Sequence, residues 1–286
     1  DISRGRRVVT LAVGYALGSF AAFYLFKATN DSAVWFPPAG LTLAALYLSP
    51  RRYWPELLAT IAVTEIAVDL TQGQQLRFAW GLALANVVEP LVGAALLRWH
   101  YARWPHLSRR GAMVRFLVAA AVVGPLCGAS IGTAVVVWLM HAGTWGSVFG
   151  AWWSGDALAV VTVGGVLLSW AFPTEVPHHP SGRLAVGACA AVGVLTIVSF
   201  WPHDSAVIYL PLPVLAWLGF RYRSTSLAYL AGTTMTAAAN LMSAHSHDPG
   251  ATTLESPHLA VTNLQAFLAL GVLLGVLLAL ESGDRL

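Results

Sequence analysis

Apolar runs of roughly 17–25 residues recur from one end of this chain to the other, each long enough to cross a hydrocarbon core about 30 Å thick. Short polar stretches rich in arginine, proline and glycine separate them. Ten segments can be drawn, over residues 8–26, 34–49, 53–70, 76–98, 112–140, 146–171, 184–201, 206–220, 226–243 and 259–281, the second and eighth being short. A helix satisfies every backbone polar group without help from water. The pattern therefore predicts an all-α, polytopic transmembrane bundle of about ten spans.

Composition agrees: 57% of the residues are hydrophobic and 10% charged, against about 25% charged in an ordinary soluble domain. The net charge of +3 does not point to nucleic acid, because topology accounts for the basic residues. With a cytoplasmic N-terminus, alternate loops and their flanks carry every one of the 16 basic residues except Lys27 and Arg77. That is the positive-inside pattern, and it predicts that both termini are cytoplasmic. Tryptophans near the predicted span ends, such as Trp54, Trp99, Trp145 and Trp170, suit the interface. Cys127 and Cys189 fall in apolar runs and read as small core residues. The chain begins at Asp1 without a cleavable signal pattern, as expected of a trimmed piece of a longer protein.

Two tetrads recur at one offset. Leu11-Ala12-Val13-Gly14 returns as Leu184-Ala185-Val186-Gly187, and Asp31-Ser32-Ala33-Val34 as Asp204-Ser205-Ala206-Val207; Pro38 falls on Pro211 in the same register. Spans one to four are thus expected to resemble spans seven to ten as a parallel repeat, with a cavity where the halves meet.

Candidate chemistry lies inside the spans. Glu65 and Asp69 fall in the third, Asn86 and Glu89 in the fourth, Asp156 in the sixth, Asn240 in the ninth, and Asn263 and Gln265 in the tenth. A carboxylate at such depth is costly unless it is protonated, paired, or facing a wet cavity or a cationic ligand. Almost no lysine or arginine lies at matching depth. Glu65, Asn86, Asp156 and Gln265 all lie in the outer half and can meet in one site; Asp69 is shallower, within reach of Arg77. Trp152 and Trp153, beside Asp156, are candidates for the pocket wall. Trp35, Pro37 and Pro38 open the second span, where two prolines remove donors and hold the preceding backbone extended. That is either a broken helix lining a cavity or a helix that starts at proline. For Asn240 and Asn263, hydrogen bonding between helices suffices.

No histidine sits mid-span. His141, His203, His245, His247 and His258 are expected in solvated outer loops, and no fixed spacing argues for a metal. Signatures of metalloproteases, serine hydrolases and nucleotide-binding loops are absent, so no catalysis is expected in this region, and any cofactor is unknown from the sequence.

Several ordered motifs carry a resemblance. Trp35-Phe36-Pro37-Pro38-Ala39-Gly40-Leu41, Arg52-Tyr53-Trp54-Pro55, Ala85-Asn86-Val87-Val88-Glu89 and Trp153-Ser154-Gly155-Asp156-Ala157-Leu158 resemble the bacterial membrane-associated sensor domain family of the first type. Pro213-Val214-Leu215-Ala216-Trp217, Phe220-Arg221 and Gln265-Ala266-Phe267-Leu268 fit the same pattern, over roughly residues 30–281. The resemblance implies an integral membrane input module preceding a histidine kinase, diguanylate cyclase or phosphatase output. Ala159 stands where glycine is expected and Glu65 near where asparagine is usual. The family is often described with eight spans, whereas the charge pattern here argues for ten.

The expected protein is therefore a single sensory domain over residues 1–286, in the bacterial inner membrane, with its output after Leu286. Its expected partners are the bilayer, a small ligand, a membrane protein and a second copy through the output region. A secondary transporter for a small or cationic solute is the alternative, because repeats, broken helices and intramembrane acids suit it too; a scaffold that recruits a membrane partner is the third reading.

Overall fold

The structure is a computed structural model and describes residues 2–26, 35–99, 110–172, 181–200, 207–245 and 257–283. Among these residues there is no strand. Helices form at α1 (Ile2–Leu25), α2 (Pro37–Leu48), α3 (Trp54–Thr71), α4 (Leu76–Trp99), α5 (Arg110–Leu139), α6 (Trp145–Ala171), α7 (Gly182–Phe200), α8 (Pro211–Tyr222), α9 (Thr225–His245) and α10 (Pro257–Gly283). Of the second repeated tetrad, Asp31–Val34 and, in the other copy, Asp204–Ala206 lie outside the described residues.

Local chemistry sets the ends. Pro37 occupies the first turn of α2 after an extended Phe36 (φ −117°, ψ 83°), where its missing N–H costs nothing. Pro50 holds Ser49 extended (ψ 140°) and stops the helix. Thr144 and Ser147 form a reciprocal cap at the start of α6. α5 and α6 contain wide turns of the i→i+5 kind, at Phe116–Val123, Val135–Leu139 and Val160–Gly164.

Every apolar segment of the sequence becomes a helix, but among the described residues six are both long and apolar enough to cross a bilayer: α1, α4, α5, α6, α7 and α10. α2 and α8 have 12 residues each, or about 18 Å at about 1.5 Å per residue, short of a core about 30 Å thick. α3 carries Glu56, Glu65 and Asp69 within its 18 residues. α9 dilutes its apolar face with Thr225, Thr233, Thr234, Thr236 and Asn240. These four differ from self-sufficient spans through length or polarity.

The chain divides into two compact units. Asp1–Trp104 and Val114–Val160 form the first; Pro105–Met113 and Val161–Leu286 form the second. In the first, α1 packs on α2 and α3, both of these pack on α4, and α5 from Val114 and α6 as far as Val160 complete the unit. In the second, α7 packs on α8 and α9, and both of these pack on α10. Each unit thus has a long, a short and two long helices with the same neighbours, and each short helix begins on proline. Glycines make the close approaches. A Cβ on Gly18 would lie 3.0 Å from Pro38, and one on Gly219 only 2.1 Å from the carbonyl oxygen of Gly275.

Arginines gather at one end of the first unit. Arg4 pairs with Glu56 at 2.6 Å. Arg7 and Arg52 stack on the Tyr53 ring at 4.9 and 4.8 Å, and Arg98 lies 5.5 Å from Trp54. The start of α1, the end of α2, the start of α3 and the end of α4 therefore coincide, so the four helices run alternately up and down.

Candidate functional site

α4 is inverted relative to a soluble amphipathic helix. Ala79, Ala83, Asn86, Glu89 and Gly93 recur every three or four residues and, with Pro90, are buried, while Trp80, Leu84 and Leu96 are exposed. Large apolar groups facing outward suit lipid, and small or polar ones suit helix–helix contact. Pro90 has no N–H, which deprives the Asn86 carbonyl of its helical donor beside the site. Across from it, a Cβ on Gly124 would lie 3.0 Å from the Glu89 carbonyl oxygen, and one on Gly128 2.9 Å from both Glu89 Cβ and Oε2. The α5 backbone lies directly against Glu89, and glycine at both positions allows it.

Four carboxyls enter this core. Glu65, Asp69 and Glu89 are each 3% exposed and Asp156 2%. Glu89 on α4 and Asp156 on α6 meet side chain to side chain. Ionised carboxyls only accept hydrogen bonds, so such a contact holds when a proton or cation lies between them. Trp152, one turn before Asp156, directs its N–H toward that carboxyl. Its ring fills the notch at Gly132, where a Cβ would lie 2.2 Å from the indole. On α3, Glu65 Oε1 accepts a short hydrogen bond from Asn86 Nδ2, and the Tyr15 hydroxyl of α1 turns toward Glu65 without good hydrogen-bond geometry.

Each acid keeps one buried oxygen without a partner: Glu65 Oε2, Asp69 Oδ2, Glu89 Oε1 and Asp156 Oδ2. The hydroxyls of Tyr15, Ser19 and Thr133 are likewise unpartnered. Burying such groups unsatisfied costs about 1–3 kcal/mol each, and more for a charge. Scaffold positions rarely retain that penalty; a site awaiting a proton, a cation or a donor-bearing ligand does. The described ion pairs, Arg4–Glu56 and Arg110–Glu281 at 2.6 Å each, leave all four acids aside. Asp69 does not pair with Arg77, whose guanidinium lies 4.5 Å from the Phe78 ring centroid.

Among the other residues singled out from the sequence, Trp35 is buried against Phe26 at 5.0 Å between ring centroids, with Nε1 unpartnered. Pro37 starts α2, Pro38 seats in the Gly18 notch, and Phe36 meets the Tyr15 ring edge-on at 6.1 Å. The prolines therefore start a helix and anchor it on α1. Trp153 turns elsewhere from Trp152: its Nε1 donates to the Val122 carbonyl at 3.3 Å. Gln265 belongs to the second unit, where its Nε2 donates to Asn240 Oδ1 at 2.9 Å, the interhelical role expected of Asn240. His203 and His247 lie outside the described residues, as do the side chains of His245 and His258. Among the described residues no three His, Cys, Asp or Glu side chains group to hold a metal.

Sequence reasoning missed Tyr15, Ser19 and Thr133. One signal was available: Tyr15 and Ser19 are one turn apart, beside Gly14 and Gly18. A second was the four-residue spacing of Gly124, Gly128 and Gly132, which marks a close helix contact.

Comparison with known proteins adds three findings. A family model described as MASE1 matches residues 6–282. A protein of Escherichia coli (strain K12) described as "Probable diguanylate cyclase DgcE" is 26% identical over 190 residues, covering 65% of this chain but 16% of that protein. No solved structure matches.

Proposed function

The chain belongs to the MASE1 family, the membrane-associated sensor domains its motifs resembled, and from that we propose that it is the membrane-embedded sensory input module of a bacterial signalling protein. The observation that carries this reading is the Glu89–Asp156 carboxyl pair, buried in membrane-spanning helices with an unpartnered oxygen on each acid and no described cationic side chain beside it. The relative from Escherichia coli supports a link to cyclic-dinucleotide signalling, although the chain corresponds to a small part of that protein.

The module sits in the inner membrane with both termini in the cytoplasm. The arginine cluster supports this orientation, joining the start of α1 to the ends of α2 and α4. It also supports alternating crossings for α1 to α4; ten crossings in all, with the short α2 and α8 shielded by longer neighbours, belong to this reading, and the matching neighbour pattern of the two units supports a parallel duplication. In this reading the region serves as input, and any catalysis belongs to a separate output region of the signalling protein. A stimulus reaching the pair acts by favouring one of two helix arrangements through a difference in affinity. α6 is the covalent route: it carries Asp156, then its wide turns at Val160–Gly164, where the first unit gives way to the second. α10 delivers the change toward the output, which works as a dimer.

The test compares Asp156→Ala and Glu89→Ala in the complete signalling protein. Each is expected to change output about tenfold or more while membrane insertion persists, the scale of a coupling near 1.4 kcal/mol. Variants that insert, remain stable and signal as wild type under every stimulus would sink the assignment. The transporter reading draws on the two like-patterned units; coupled solute uptake by proteoliposomes would favour it, and binding without flux the sensor.

A further inference from the structure

The four buried carboxyls are not scattered. Asp69 lies about 3 Å from the end of α3 at Thr71, and Glu65 one turn deeper, at about 9 Å. Asp156 lies about 16 Å along α6 from Trp145, and Glu89 about 20 Å along α4 from Leu76. The acids follow one another electrostatically: Asp69 is a neighbour of Glu65, Glu65 of Asp156, and Asp156 of Glu89. All four belong to the first unit.

A further group points into this line. The Tyr15 hydroxyl, on a side chain 1% exposed and without a hydrogen-bond partner, turns toward Glu65 and feels the charges of Asp69 and Asp156. The ionisable groups facing the acids are Tyr15 from α1, the acids themselves from α3, α4 and α6, and Cys127 from α5 beside Glu89. α2 offers only Tyr47, which stacks with Arg98 instead. No described lysine, arginine or histidine joins them.

The geometry disfavours a metal ion. No metal-ligating trio is present among the described residues, whereas a hard cation wants about six oxygen ligands. The Asn86 amide and the Trp152 indole already donate N–H groups to Glu65 and Asp156. The α5 backbone at Gly128 crowds Glu89. A proton needs only one oxygen and no space.

We propose that Asp69, Glu65 and Tyr15 conduct protons from the α3–α4 end to the Glu89–Asp156 pair, so that the proton is the ligand of the sensory site. A proton leaves water for the Asp69 carboxyl near the end of α3. It passes to Glu65, either directly or as Tyr15 accepts one proton and releases its own, and then reaches Asp156 and Glu89. Each carrier returns to its starting state with the next proton, so the net change is one proton taken from water and held by the pair. Its meaning for signalling rests on the sensory reading above; the proton site itself does not.

Dicyclohexylcarbodiimide provides the probe. The O–H of a protonated carboxyl adds across its C=N bond, and an ionised carboxylate does not react. The intact chain in lipid nanodiscs is treated at fixed pH, and the modified residue is located by mass spectrometry. Modification is expected on Glu89 or Asp156, falling at least about tenfold between about pH 5 and about pH 9. Infrared detection of carboxyl protonation after a pH jump then reads access: Asp69→Asn slows it at least about tenfold, and Asp69→Glu restores the rate. No modification of either acid across that range in folded wild-type protein would overturn the proposal, as would protection by sodium at constant pH or unchanged kinetics in Asp69→Asn. If the pair reacts as expected but output ignores external pH, the sensory reading fails and the proton site stands. If the pair never reacts yet Asp156→Ala changes output, only the proton assignment fails.

Discussion

In each unit a buried side-chain hydrogen bond ties the third helix to the fourth. In the first, Asn86 donates to Glu65; in the second, Gln265 donates to Asn240. The donor is an amide in both. The acceptor is a carboxyl in one and an amide in the other, and the remaining differences follow from that. Asn240 also donates to the Thr236 carbonyl at 2.8 Å, so the second junction is nearly self-sufficient and neutral at every pH. Glu65 faces Tyr15 and stands in line with three more acids. Among the described residues, every buried polar side-chain atom without a partner belongs to the first unit except Gln265 Oε1. One helix arrangement thus serves as frame in one unit and as site in the other, and the cost of burying charge is confined to the site.

Exchanging the acceptors tests this directly. Asn240→Glu places a carboxyl at a position 2% exposed where nothing has been arranged to receive it, and should destabilise the chain by about 3 kcal/mol, the upper end for burying a polar group without its partners. Denaturant unfolding in detergent measures it; a change below about 0.5 kcal/mol would mean that the second unit is also built to hold an acid.

Gly219→Ala follows. Its Cβ would meet the Gly275 carbonyl oxygen at 2.1 Å, a backbone atom that can move only with α10, so a loss of about 1–3 kcal/mol is expected. In the first unit, Gly128→Ala meets the Glu89 side chain at 2.9 Å. The overlap is smaller than at Gly219, and Glu89 Oε2 can swing aside although Cβ cannot, so this variant should lose less stability and more signalling. Equal stability losses would erase the distinction between frame and site.

The smallest stability effect is expected for Glu65→Asn, which keeps an acceptor for Asn86 and removes the charge. Stability should change by less than about 1 kcal/mol, while the response to stimulus is lost. A variant that responds as wild type would show that Glu65 is merely the first unit's version of Asn240.

Much of this was legible in the sequence, and the limits have physical causes. Depth along a helix is linear in residue number, so Glu65, Glu89 and Asp156 stood out as intramembrane acids before any packing was known. Tyr15, Ser19 and Thr133 did not, because a hydroxyl in a span usually bonds to its own helix, as Thr196 and Thr236 do at 2.7 and 2.9 Å. Trp152 and Trp153 were indistinguishable for another reason. Adjacent residues point about 100° apart on a helix, and only packing decides which one meets the acid.

The sequence alone determined the helices, their ends and the depth of each polar residue, because apolar length, proline and arginine act locally. It also marked the charge imbalance. The tertiary structure decided which acids meet, which tryptophan joins them, and that Gln265 pairs with Asn240. Those outcomes depend on rotation and neighbour choice. Both are set by close approaches such as Gly128 on Glu89 and Gly132 on Trp152, where the fit is made by atoms far apart in the chain.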